Sequence, residues 1–233
     1  MKQNARRLFV AALALVVVGC GTTYQTRSVE KSGFLGDYSQ LQKGTGDQAQ
    51  LVFIDSKANW ATYHSVMIDS VVVRAEPGRK SLMRKVSEDD LQMLADYLHT
   101  AMRDQLEKDY KIVDSPGPGV MRIRPAITEA KGSKVALDLI SNALPPAIAM
   151  STVKRLATGT HSFVGEAGVE VEVLDTQTTK RLAAAVDRRA GRKVLRGKLG
   201  TWNDVKAAYD HWANRLRVAL AEQRAKSKAG GAE

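Results

Sequence analysis

The sequence predicts an α+β domain of two layers: one mostly antiparallel sheet of four to six strands, with two long amphipathic helices on one face. Three observations predict it. Apolar residues recur at three- and four-residue steps from Leu91 to Leu106 and from Trp202 to Leu220, the period of half-buried helices. Residues 165–189 alternate apolar and charged on either side of a turn, the pattern of a hairpin with one polar face. The order of elements is strand, helix, strand, strand, apolar segment, hairpin, helix, which suits helices gathered on one side of an antiparallel sheet. No internal repeat of fixed period is present.

The chain opens with a targeting signal. Lys2, Arg6 and Arg7 precede an apolar run from Leu8 to Cys20. A basic start, a short apolar stretch and small residues before a cleavage point make a secretory signal. The run is shorter than the roughly 20 apolar residues of a spanning helix. Val17-Val18-Gly19-Cys20 resembles the bacterial lipobox, in which the chain is cut before the cysteine and the thiol is acylated. Cys20 is the single cysteine of the chain, and an unpaired cysteine in an oxidising compartment is otherwise a liability. Three hydrocarbon tails (palmitate-type chains), each contributing about 0.8 kcal/mol per buried CH₂, would hold the protein to a membrane. Gly21 rather than Asp follows Cys20. By resemblance to sorted bacterial lipoproteins, this implies the outer membrane of a Gram-negative cell, with the domain facing the periplasm.

The expected organisation is a cleaved signal over 1–19 and a lipidated N-terminus with a flexible, Thr-rich tether over 20–31. A single globular domain over 32–222 follows, then a disordered basic tail over 223–233. Phe34, Leu35, Tyr38 and Leu41 are candidates to clip the incoming chain onto the domain. Leu51–Ile54 reads as a strand. Thr62–Arg74, with Val71-Val72-Val73, reads as a strand buried on both faces, or nearly so. Ser87 is placed to cap a helix whose first turn holds Glu88, Asp89 and Asp90 at the positive end of the dipole. That helix runs to about Asp109, and Tyr110–Val113 is a short strand. Pro116–Gly119 is a rigid turn. Val120–Thr128 alternates as a strand, at an edge or bulged at Pro125, which has no N–H to donate. The hairpin of Gly165–Leu174 and Arg181–Arg189 turns through Asp175–Lys180. Gly191–Gly200 is a basic loop, and Thr201 is a candidate cap for the last helix.

Val135–Leu156 stands apart. It is mostly apolar, broken by Pro145-Pro146, and too interrupted to cross a bilayer. It reads either as a short helix pair that completes the core or as an exposed apolar surface for a partner or the nearby membrane. Leu139, Leu144, Pro145, Pro146, Ile148 and Met150 are the candidate partner contacts, and the basic stretch Arg188–Lys198 is the next.

No catalytic constellation is visible. There is no GxSxG, and the one thiol is assigned to lipid. His64, His99, His161 and His211 form no HxxxH or HExxH pair, so no metal is expected. The Pro116–Gly119 turn lacks the Lys and Ser/Thr of a phosphate loop, and no cofactor is expected. Glu166, Glu170 and Glu172 project from one strand face. Paired carboxylates serve glycan hydrolysis, but period-two spacing also describes a solvated sheet face, which is the expectation. Trp60, Trp202 and Trp212 are candidates to stack on sugar, though the last two lie on a core stripe. The formal charge of +10 suits a basic solvated surface, anionic lipid or acidic glycan; the expected location argues against nucleic acid.

SGFLGDYSQL, NWATYHSVMIDSV, DSPGPGVMRIRPAITEA, FVGEAGVEVEVLDTQT and LAAAVDRRAG together resemble the bacterial lipoproteins called domain of unknown function 3313, from about Ser32 to Trp212. Two departures from that pattern are Ser70, in place of Pro, and Thr179-Lys180, in place of a Gly-Glu turn. The resemblance implies an envelope lipoprotein and supplies no catalytic residues. The expected function is therefore a non-enzymatic accessory module of the cell envelope, with an envelope protein as partner. The alternatives are a carrier of a small ligand or lipid under the 135–156 segment and, third, an envelope hydrolase using the Glu row.

Overall fold

The frame of the molecule is the hairpin of β8 (Glu166–Asp175) and β9 (Arg181–Gly191), paired from Glu166↔Ala190 to Leu174↔Arg181. The computed structural model describes residues 23–75, 83, 85–132, 164–191 and 201–230. The turn is built by Asp175, whose Oδ1 accepts from the backbone N–H of Gln177 and Thr178. Thr179 completes it at φ 58, the left-handed conformation that a glycine would adopt without strain.

β7 (Val120–Lys131) runs antiparallel along the other side of β8, with a bulge between Ile127 and Glu129. Beyond it, β4 (Ser65–Ile68) and β5 (Val72–Val73) pair with β7 in parallel, and β6 (Lys111–Ile112) pairs with β4. Past β9 lie β3 (Leu51–Ile54) and β2 (Gln42–Lys43), and β1 (Thr23–Gln25) pairs with the end of β9. The described residues thus form one mostly antiparallel sheet of nine strands. Four to six were expected; β1, β2, β5 and β6 are two or three residues long, too short to show a period of two.

α1 (Glu88–Leu106) begins at Ser87, whose Oγ accepts from the Asp90 N–H. α2 spans Asn203–Gly230. Leu94, Leu98 and Met102 of α1 share one apolar core with Val205, Tyr209 and Trp212 of α2 and with Val66, Ile123 and Val169 of the sheet. Each fully buried Leu there contributes about 1.5–3 kcal/mol. Polar contacts stitch the two helices together: Tyr97 donates to Asp210 at 2.9 Å and the Trp202 indole donates to Asp90 at 3.0 Å.

Several expectations are corrected. The tether ends early: Thr23–Gln25 is a strand, and Thr26 N–H donates to Arg188 O. The tail over 223–230 is the last two turns of α2, pinned where Ser227 Oγ accepts from Trp60 N–H and Arg224 donates to Tyr63 O. Thr62–Arg74 is not one buried strand. It breaks at Asp69–Val71, and Val72 and Val73 are exposed. Pro125 is not at an edge. β7 is internal, and Pro125 falls opposite that break, where no partner strand seeks its missing N–H.

The second face of the sheet is also covered. Phe34, Leu35, Tyr38 and Leu41 pack with Ala184, Val186 and Phe53 into a smaller apolar cluster, as expected of a clip. The clip meets Glu170 directly through Tyr38, and Glu172 through Arg124 and Arg181, in the β8 carboxylate row that alternation alone places in solvent.

Candidate functional site

Cys20, Leu139, Leu144, Pro145, Pro146, Ile148 and Met150 lie outside the described residues, as does His161.

The Glu row is buried, not solvated: Glu166 and Glu170 are 0% exposed and Glu172 is 4%. Each carboxylate has committed partners. Glu170 accepts from Ser32 N–H at 2.7 Å and from the Tyr38 hydroxyl at 2.6 Å. Burial and that bond raise the Tyr38 phenol. Glu172 lies between Arg124 at 2.7 Å and Arg181 at 2.6 Å, with the Arg124 guanidinium over the Phe34 ring. Arg181 also donates to the carbonyls of Leu35 and Asp37, so the clip is read out by fixed charges. Glu166 pairs with Lys131 at 3.2 Å and with Arg188, which also meets Glu129. Acid–base work on a glycan needs a carboxylate open to a substrate; these are closed by cations, a hydroxyl and a backbone N–H.

Two of the three tryptophans are internal and Trp202 is half-buried. Trp60 is buried and donates to Asp55 O at 3.0 Å, and Trp212 is buried against β9. His64 is exposed, its Nδ1 3.0 Å from Ser65 Oγ. Among the described residues, no group of three or more His, Cys, Asp or Glu is placed to hold a metal ion.

An apolar cavity of about 110 Å³ lies between α2 and the β3–β9–β8 part of the sheet, lined by Val52, Ile54, Val171, Ala183, Trp212 and Leu216. Asp187 and Arg215 are its charged lining residues. Asp187 accepts from the Trp212 indole at 2.7 Å, from Gln25 at 2.6 Å and from Gln50 N–H at 3.2 Å. Burial pushes its carboxyl above the usual range, against the opposing pull of those donors. The sequence held one signal of this group, the charged triplet Asp187-Arg188-Arg189 inside the otherwise apolar run Leu182–Ala190. The cavity itself, formed by residues far apart in the chain, left none.

One end of the sheet gathers four chain segments. Thr23 pairs with Gly191, Gly191 N–H donates to Gly165 O, and Lys131 pairs with Glu166. Asp204, in the first turn of α2, accepts from Gly165 N–H at 3.0 Å. A Cβ on Gly191 would stand 2.3 Å from the Asp204 carboxylate, so glycine is required for the helix to seat there. Gly132 and Val164 flank the apolar stretch 133–163, and Gly191 and Thr201 flank the basic stretch 192–200. Both stretches leave from this end. No helix among the described residues is long and apolar enough to cross a membrane.

The profile of a family described as "Protein of unknown function (DUF3313)" matches residues 30–216. The chain is 26% identical over 187 residues to a protein of Escherichia coli strain K12 named "Uncharacterized lipoprotein YdcL", covering 78% of this chain and 82% of that protein. The YdcL protein of Escherichia coli O157:H7 matches equally. Among solved structures, a PelC dodecamer from Paraburkholderia phytofirmans aligns at TM-score 0.38 and 12% identity, over 76% of this chain and 95% of that one. The hypothetical protein CT253 from Chlamydia trachomatis aligns at TM-score 0.35 and 13% identity, over 71% of this chain and 99% of that one.

Proposed function

We propose, from the premise that this chain belongs to the DUF3313 family of proteins of unknown function, that it is an outer-membrane lipoprotein and a non-enzymatic accessory module of the cell envelope. The lipid sits on Cys20 and the domain faces the periplasm. The observation that carries this reading is the relation of the lipobox-like Val17–Cys20 to the fold: the globular sheet starts at Thr23, directly behind the candidate acylation point. The naming of two relatives as lipoproteins supports it. The closure of the Glu row by fixed partners supports an adaptor over a hydrolase.

The contact surface for an envelope protein partner is the apolar segment containing Leu139, Leu144, Pro145, Pro146, Ile148 and Met150. The basic stretch expected over Arg188–Lys198 comes next, shortened to Arg192–Lys198 because Arg188 is buried against Glu129 and Glu166 and Arg189 is held by Thr23. A lipid anchor raises the local concentration of such a surface, so weak contacts suffice. Expression of Cys20→Ser tests the anchor: the variant should lose its acyl mass and leave the membrane fraction, and an unchanged mass and fractionation would refute it. In-cell crosslinking from position 148, compared with Leu144→Asp and Ile148→Asp, tests the surface. Retention of every crosslinked partner by both variants would remove it.

The cavity beside Asp187 favours a second reading, a carrier of a small apolar ligand. It lies under α2; the 135–156 segment, under which such a site was expected, lies outside the described residues. Native mass spectrometry of the domain would reveal a co-purified ligand, and its loss in Ala183→Phe would assign the ligand to this cavity.

A further inference from the structure

The structure fixes where β1, the first strand of the sheet, lies, and with it the direction in which an anchored domain must face. We propose that the sheet end made by Thr23, Gly132, Gly165 and Gly191, with the first turn of α2, is the membrane-facing end. The bilayer surface is its partner, held at short range. This rests on acylation of Cys20, as proposed above.

The leash is short. Gly21 and Thr22 alone separate Cys20 from β1. Three Cα steps of about 3.6 Å reach no more than about 11 Å, so the acylated residue cannot stray farther than that from Thr23. Thr23 itself does not move freely. It is 3% exposed, its Oγ1 accepts from Arg189 Nε at 3.0 Å, and its carbonyl accepts from the same guanidinium at 3.0 Å. Gln25 is tied to Asp187 and to Gln48 O. The strand therefore transmits the position of the lipid to the whole sheet.

The direction follows from the register. β1 is antiparallel to β9, with Gln25 opposite Arg189 and Thr23 opposite Gly191. Moving back toward Cys20 carries the chain past the last residue of β9, away from the β8–β9 turn. At about 3.3 Å per residue, β9 puts that turn roughly 35 Å farther from the lipid. α2 begins at the same end, where Asp204 meets Gly165, and runs away from it. Its 28 residues cover about 42 Å at 1.5 Å per residue. Its last turns reach Trp60 and Tyr63, beside Asp175 at the hairpin turn. The exposed turn residues Gln177–Lys180 and the end of α2 thus face away from the membrane.

The test uses the full-length acylated protein in vesicles of phosphatidylethanolamine and phosphatidylglycerol, 3:1, doped with a headgroup-nitroxide lipid. A fluorophore is placed on Asn203→Cys at the near end, or on Gln177→Cys or Lys228→Cys at the far end; all three positions are exposed. Quenching at position 203 should exceed that at 177 and 228 several-fold. Inserting fifteen Gly/Ser residues between Thr22 and Thr23 should abolish the difference. Equal quenching at the three sites in acylated protein, or a gradient that survives the insertion, would overturn the orientation alone. Intact mass showing no acyl chains on the sample would overturn the orientation together with the lipid reading beneath it.

Discussion

The Asp187 carboxylate, in the middle of β9, accepts a hydrogen bond from the Trp212 indole at 2.7 Å and so joins the sheet to the long second helix. The same carboxylate holds Gln25 of β1, which places the first strand, the central hairpin and the last helix on one buried charge. Asp187→Ala leaves three donors unmet and should lower the unfolding free energy by about 2–4 kcal/mol in urea titrations. The folded carboxyl lies above the ordinary range, chiefly through burial. Folding therefore favours its proton, and its contribution is fully present below the unfolded value of about 3.9 and falls as pH rises through the folded one. The gap between wild type and Asp187→Ala should narrow over that window.

Tyr38→Phe removes the hydroxyl that donates to Glu170 and accepts from the N–H groups of Gly33 and Leu35. A lost bond to a buried carboxylate costs about 1.5–3 kcal/mol. Hydrogen exchange should quicken over residues 32–41, while α1 keeps its protection.

Arg188→Met strips the cation between Glu129 and Glu166, both 0% exposed. Breaking a buried pair from one side costs about 3–5 kcal/mol. Glu166 would keep Lys131 at 3.2 Å as its remaining cation, and the loss is measured against wild type by chemical denaturation.

Thr179→Gly should stabilise the protein. A β-branched residue at φ 58 is strained by about 1–2 kcal/mol, and glycine relieves this at the cost of some unfolded-state entropy. The net gain should be about 1 kcal/mol, visible as a higher Tm.

His211 marks an acid limit. Burial first, then the guanidinium groups of Arg189 and Arg215, lower its imidazole to about 4, with Asp47 pulling the other way. The unfolded chain takes up this proton near pH 6.5, so the neutral ring's contribution is present above 6.5 and lost as pH falls toward about 4. Melting curves of His211→Gln should lose less Tm than wild type between pH 7 and pH 5.

Local patterns in the sequence were sufficient for the elements that carry their own period. Ser87 with three acids announces α1, the Leu91–Leu106 stripe its buried face, and Val169, Val171 and Val173 the inner side of β8. The polar row of β8 was misleading because the partners of its carboxylates are distant in the chain: Tyr38 for Glu170, Arg124 over the Phe34 ring for Glu172, and Lys131 for Glu166. Alternation shows that two faces differ, not what lies against each. β1 was hidden for a related reason: Thr23, Tyr24 and Gln25 are too few to show a period, and they form a strand because β9 offers them an edge. The helix over 223–230 was masked by composition, since Lys and Ala suit either a solvated tail or a helix; Ser227 and Arg224 find partners in a turn that the sequence does not place beside them. The departure at Thr179 fell on the single non-glycine residue with positive φ among the described residues, and that at Ser70 on the break between β4 and β5.

The outermost strands of the sheet, β2 and β6, are two residues long. Molecules confined to the plane of a membrane collide with their own kind far more often than in free solution. An open sheet rim would invite them to zip side by side into aggregates. Among the described residues, stubs of two residues offer few free N–H and C=O groups for such zipping, which would suit the anchored protein proposed above.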